Sequence, residues 1–269
     1  MIIDFHTHIF PDKIAERTIS HLAAKSGFTP FADGSASGLD KELEKATADV
    51  AVSLPVLTNP EQFDGVIRFA SSINDKFKKK GDGILSFAGI HPACNDITGK
   101  MTFIKEAGFL GVKIHPDYQD TYINDDGYIE ILRSARELDL IVVTHSGVDG
   151  GYRDRPIRCT PEMAKEVIRK VGHEKFVLAH FGANEMWDEA HQTLCGENVY
   201  FDTAFTLRYI SPDLFKRIVY KHGASRILFA TDSPWGSIKQ DVEILKSFEL
   251  DKSTEEMILS GNARALLGI

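Results

Sequence analysis

The sequence predicts a closed (β/α)8 TIM barrel built as a single α/β domain over residues 1–269, and three observations predict it. Short apolar runs alternate with amphipathic stretches along the whole chain; there are eight such runs; and most are continuously apolar. Strands of a parallel sheet read this way because helices cover both of its faces. Eight alternating units in a chain of this length close into a barrel. The competing architecture, an open doubly wound sheet, is weakened because no GxGxxG or GxxxxGK[ST] follows the first run.

The apolar runs are Ile2–Phe5, Val50–Leu54, Ile84–Ala88, Leu110–Ile114, Leu140–Thr144, Phe176–Ala179, Val199–Phe201 and Ile227–Ala230. Between them, Phe63, Ile67, Ala70, Ile73 and Phe77 recur on one helical face. Helical spacing also covers Tyr128–Leu138, Pro161–Val171, Asp213–Lys221 and Val242–Phe248. Thr160-Pro161 and Ser211-Pro212 pair an N-cap with proline at the first helical position. Ser253–Leu267 reads as a final helix, with Ser253 and Glu256 at capping-box spacing. Phe28–Gly38, rich in Gly and Ser, reads as a surface loop in a long first connection rather than a domain boundary.

Composition excludes several classes. The 31 Lys+Arg against 39 Asp+Glu give a net charge of −8, the opposite of a nucleic-acid footprint. No run reaches the about 18–20 apolar residues of a membrane helix, and the first residues lack the basic start of a signal peptide. Cys94, Cys159 and Cys195 form no CxxC pair and read as free thiols in a reducing compartment. The expectation is a cytoplasmic protein with a small-molecule partner, engaging neither nucleic acid nor membrane. Homo-oligomers are common in general, but no residue here marks an interface.

The informative polar residues stand at the C-terminal ends of the apolar runs, where barrels gather their active sites. The first run ends in Asp4-Phe5-His6-Thr7-His8, and the fourth in Lys113-Ile114-His115. The fifth and sixth end in His145 and His180, and the last in Asp232. Residues two apart on a strand face the same way, so His6 and His8 can reach one ion. Imidazoles with a carboxylate suit Zn2+ or another borderline divalent ion. One histidine at a strand end is more often a packed residue than a ligand; several converging in one fold are not explained that way.

Other residues carry weaker signals. His91 sits at the same rim, while His21, His173, His191 and His222 fall in helices or at helix ends and read as packing or surface residues. His115 shares strand parity with Lys113 and is a candidate for contacting substrate. A buried lysine is costly unless paired, so Lys113 reads as a neutral base, a charge partner for substrate, or a carbamylated ligand between two ions. The long stretch 147–160 carries Arg153, Arg155 and Arg158. One of these guanidinium groups, with Arg153 as the candidate, is expected to clamp an anionic substrate, with Trp235 walling the pocket.

The ordered set DFHTH (4–8), GIHP (89–92), GVKIHP (111–116), THSG (144–147), LAHFG (178–182), FDTA (201–204), ATDSPWG (230–236) and GNARALLGI (261–269) resembles the amidohydrolase superfamily of metal-dependent barrels. The closer resemblance is to its branch containing aminocarboxymuconate-semialdehyde decarboxylase, other aromatic-acid decarboxylases and lactone hydrolases. The resemblance implies that His6, His8, His145 and Asp232 bind a Zn2+-like ion, one ion, or two if Lys113 is carbamylated. It implies that His180 is a second-metal ligand or moves protons, and that Asp232 doubles as the base acting on water. Lys113 departs from the decarboxylase pattern, and the lack of a glutamate there departs from the metal-dependent deoxyribonucleases. The main expectation is therefore hydrolysis of a small carboxylic ester, lactone or amide by metal-activated water, with Asp232, His180 and Lys113 as catalytic residues. The alternative is non-oxidative decarboxylation of an aromatic or unsaturated acid.

Overall fold

Eight staves of parallel strand close on themselves in the computed structural model, which describes residues 1–269. β1 (Ile3–Thr7), β2 (Val50–Ser53) and β3 (Gly83–Ser86) pair in that order. β4 (Ala88–Gly89), β5 (Gly111–Ile114), β6 (Ile141–Thr144), β7 (Phe176–Leu178), β8 (Tyr200–Asp202) and β9 (Ile227–Leu228) continue the ring. β3 and β4 are one stave interrupted at Phe87, whose N–H still bonds Ser53 O at 2.9 Å. The ring shuts between β9 and β1 through Phe5 N to Phe229 O (2.9 Å), Asp232 N to His6 O (2.9 Å) and His8 N to Ser233 O (2.6 Å).

Strand alternation sorts the core into two layers. Ile141 and Val143 of β6 pack in the barrel interior with Phe5, Val52, Leu54 and Phe87, whereas Val142 belongs to the shell beneath the helices. Val112 and Ile114 of β5 also join that shell, so Lys113 between them faces inward. β1 carries a register irregularity between Asp4 and Thr7. Such a bulge re-aims side chains: Phe5 fills the interior, while His6 and His8 still meet at the mouth.

The helices follow the predicted faces. α3 (Phe63–Lys80), α4 (Ile97–Glu106), α5 (Asp126–Glu137), α6 (Pro161–Val171), α7 (Trp187–Thr193), α8 (Pro212–His222) and α9 (Ile238–Ser247) come after the first connection. Thr160 and Ser211 cap α6 and α8 by accepting from Met163 N and Leu214 N, both at 3.3 Å. Two expectations change. Phe28–Gly38 lies between α1 (Asp12–Ser26) and α2 (Ala36–Ala46), and Ser35 caps α2 by accepting from Gly38 N at 2.9 Å, so the stretch ends inside a helix. In the tail, Asp251 rather than Ser253 is the cap, accepting from Thr254 N at 2.9 Å. A wide turn over Met257–Gly261 separates α10 (Lys252–Glu256) from α11 (Asn262–Leu267). Within that turn Ile258 O accepts Phe229 N at 3.0 Å.

His222 illustrates the shell's chemistry. Its ring stacks on Phe201 at 3.9 Å, its Nε2 donates to Val199 O at 2.9 Å, and its Nδ1 accepts from Gly196 N at 3.3 Å. Only the neutral ring makes both bonds, and burial lowers its pKa from 6.5 to about 4. Below about pH 6.5 the unfolded chain therefore binds a proton that the folded chain refuses, and stability falls as pH drops toward 4. Urea unfolding at pH 7 and pH 5 is expected to differ by on the order of 2 kcal/mol from this residue, and His222→Gln should flatten that dependence.

Candidate metal centre

Three electron-pair donors meet at the mouth of the barrel. His6 Nε2 and His8 Nε2 lie 3.2 Å apart, and Asp232 Oδ1 lies 3.4 and 3.1 Å from them. Their hydrogen bonds on the far side fix which nitrogen bears the proton. His8 Nδ1 donates to Leu54 O at 2.9 Å, and a carbonyl only accepts, so the neutral ring has a bare Nε2. His6 Nδ1 donates to Asp202 Oδ2 at 2.8 Å with the same result. Two ring lone pairs and a carboxylate oxygen thus converge with no ring proton between them, and burial holds His6 well below its ordinary pKa. Donors about 2.0–2.1 Å from a common tetrahedral ion lie about 3.4 Å from one another. The donor set and its spacing fit a divalent cation.

A second group adjoins this one. Lys113 Nζ, 1% exposed, lies 3.0 Å from His6 Nε2 and donates to it. Burial lowers the lysine to about 8, against the pull of Asp202 and Asp232. His180 Nδ1 donates to Ala204 O at 2.9 Å, and its Nε2 lies 2.9 Å from His145 Nδ1. His115 stacks on His145 at 4.2 Å and 9°, and its Nε2 is 3.5 Å from Asp149 Oδ2. His115, His145 and Asp149 are close enough to suggest a cation site. Parallel stacked rings, however, aim their lone pairs side by side and not at a shared point, so these two imidazoles do not chelate one ion.

The backbone is strained where the chemistry sits. His180 (φ 59°), Phe181 (φ 59°) and Asp232 (φ 65°) adopt the left-handed region, which costs a non-glycine residue about 1–2 kcal/mol. Asp202 holds the first of these: its Oδ1 accepts His180 N at 2.9 Å and Ala204 N at 3.1 Å. Gly236 is required beside the last, because a Cβ there would fall 2.0 Å from Thr231 O. Asp4 ties the two ends of the barrel, accepting from Thr231 N (3.0 Å) and Thr231 Oγ1 (2.5 Å).

Above this floor a cavity of about 590 Å3 opens. Its walls are apolar: Ile14 and Leu22 of α1, Phe28, Phe69 of α3, Phe205 and Trp235.

Residues 3–269 match the amidohydrolase family. The chain belongs to that family. By sequence no curated protein matches it. A 5-carboxyvanillate decarboxylase from Novosphingobium aromaticivorans, solved with bound manganese, superposes with a TM-score of 0.73 at 13% identity over 100% of this chain and 97% of that one. A dihydroxybenzoic acid decarboxylase from Polaromonas, also with manganese, gives 0.68 at 16% over 99% and 96%. An uncharacterized TIM-barrel protein from Bordetella bronchiseptica gives 0.74 at 18% over 99% and 98%. At these identities the likeness establishes the barrel fold.

In this member of the family the predicted residues divide. His6, His8 and Asp232 form one compact group; His145 stands outside it, paired with His180. Lys113 bridges toward His6, and His115 and Trp235 line the cavity. Arg153 does not: half exposed, it pairs with Glu185 on the outer surface. Arg158 pairs with Asp120, and the cation at the cavity mouth is instead Lys25 of α1, over the Tyr152 ring at 3.3 Å. The seventh apolar run ends at Phe201 in sequence, so Asp202 carries no strand-end signal there; the same rule applied one residue further finds it. Asp117 and Asp149 lie in loops, where spacing carries no signal. No helix is long and apolar enough to cross a membrane. Elemental analysis after gel filtration is expected to find a divalent ion retained by the wild type and by Arg153→Ala, and lost from His8→Ala.

Proposed function

We propose that the protein is a metal-dependent lyase that removes CO2 from an aromatic or unsaturated carboxylic acid. The observation that carries this reading is the division of the cavity into an imidazole-lined floor whose donors fit a cation and walls rich in aromatic rings, which suits a planar acid bound carboxylate-down. Aromatic-acid decarboxylases among the structural neighbours support it. Hydrolysis of an ester, lactone or amide is the second reading, favoured by Lys113, which departs from the decarboxylase pattern.

His6, His8 and Asp232 would hold the ion, with His145 and His180 beside them. Manganese in two neighbours and the mixed nitrogen–oxygen donors support a divalent ion without selecting zinc. When bound, such an ion supplies positive charge that anchors an anionic group and polarises it. Lys113 places a further positive charge at the floor. Its lowered pKa leaves a share of neutral amine near pH 8, the form that carbamylation requires. Phe28, Phe69, Phe205 and Trp235 clamp the ring of the acid and exclude water. His180 moves the proton: its Nε2, bare in the neutral ring, takes one up before the acid seats and passes it to the substrate, while Nδ1–H holds the ring to the Ala204 carbonyl. The bond between ring carbon and carboxylate breaks, its electron pair stays on the ring carbon, and that carbon takes the proton as CO2 leaves. In the hydrolytic reading Asp232 takes a proton from water and passes it to the leaving group. The free thiols of Cys94, Cys159 and Cys195 support a reducing, cytoplasmic setting.

The test is turnover of hydroxybenzoates and unsaturated acids by manganese- or zinc-loaded protein in D2O. CO2 release with deuterium on the vacated carbon is expected, and His180→Ala should slow it by about 10²–10⁴-fold. Cleavage of lactones or esters with oxygen-18 taken up from water, and no CO2, would establish the hydrolytic reading instead.

A further inference from the structure

Each imidazole of the floor has one nitrogen turned toward its neighbours in the cavity and one turned away. Turned away, His6 Nδ1 meets Asp202 Oδ2 (2.8 Å), His8 Nδ1 meets Leu54 O (2.9 Å) and His180 Nδ1 meets Ala204 O (2.9 Å). His115 Nδ1 instead accepts from Tyr118 N at 3.3 Å, and His145 has no such partner. Its Nδ1 faces His180 Nε2 at 2.9 Å, and its buried Nε2 has no hydrogen-bond partner. Facing that nitrogen at 3.9 Å is Asp117 Oδ2, also buried and also without a partner. Asp117 itself is only 3% exposed.

Proton accounting gives this pair a meaning. His180 spends its ring proton on Ala204 O, so its Nε2 is bare. Neutral His145 has a single ring proton. On Nδ1, the proton satisfies His180 but leaves Nε2 as an acceptor aimed at a carboxylate. On Nε2, it points at Asp117 and leaves Nδ1 bare, a lone pair beside His180 that a cation can use. We propose that Asp117 is a positioning residue of the metal centre: it accepts the Nε2–H of His145 and thereby commits Nδ1 to coordination beside His180. The inference rests on the reading of the floor as a metal centre. Ligating histidines in general donate their other N–H to such a partner, and losing it costs about 10–100-fold in metal affinity. An approach of about 1 Å, or one bridging water, completes the bond. A separate cavity of about 290 Å3 borders Asp117, together with Asp149 and Tyr152. The His115 ring, stacked on His145, meanwhile holds its plane.

The experiment is a titration with manganese and with zinc against a competing chelator dye, on wild type, Asp117→Asn and Asp117→Leu, with circular dichroism as the check of folding. Asp117→Leu, similar in shape but without an acceptor, should lose about 10–100-fold in affinity. Asp117→Asn keeps a carbonyl acceptor and should lose less. Nitrogen-15 imidazole spectra of the zinc-loaded wild type should find the His145 proton on Nε2, and this measurement decides the matter if Asp117→Leu does not fold. Equal affinities in all three proteins, or a His145 proton on Nδ1, overturn the role of Asp117 and leave the metal centre standing. A wild type that binds neither metal overturns both.

Discussion

The mouth of this barrel is organised by a proton shortage. Carbonyl and carboxylate acceptors outside the ring of histidines draw the imidazole protons outward, to Leu54 O, Ala204 O and Asp202 Oδ2. What remains inside is a concentration of lone pairs around Asp232, relieved by the buried ammonium of Lys113 and completed by a cation. None of these acceptors comes from the strand whose histidine it holds. Leu54 follows β2, and Asp202 and Ala204 end and follow β8. The register of the parallel ladder therefore decides which tautomers the site contains, and a slip in one stave would remove an acceptor and alter the chemistry of its neighbour.

Asp202 shows how much one buried side chain can coordinate. One oxygen orients His6; the other holds the backbone N–H groups of His180 and Ala204. Those bonds offset the cost of bending the chain into the left-handed conformation at His180. The bend carries the imidazole from the end of β7 into line with His145. Asp4 does comparable work at the seam, where its bonds to Thr231 keep the loop bearing Asp232 against β1. Strain at the site and buried carboxylates beneath it are two aspects of one construction.

The walls belong to a different part of the chain. Ile14 and Leu22 come from α1, a helix inside the long first connection, and Phe69 comes from α3. An apolar canopy over an imidazole-lined floor is the arrangement that the proposed planar acid requires. Lys25, seated on the Tyr152 ring at the rim, is the exposed cation along that approach.

The sequence by itself determined the barrel and most of the donors. Continuous apolar runs mark strands covered on both faces, and polar residues at their C-terminal ends mark the mouth, so His6, His8, Lys113, His145, His180 and Asp232 were legible one by one. Only the tertiary structure decided their grouping. His145 stands with His180 because distances across a closed ring depend on stagger and bulges, which leave no trace in spacing. Arg153 was drawn toward the pocket by its charge, yet Glu185, 32 residues away, holds it on the surface. Asp117 and Asp149 meet the site from loops, whose paths are set by long-range packing and not by period. The proton on each imidazole was likewise undecided until the acceptor behind it was known, because a tautomer is a property of a pair of atoms brought together by the fold.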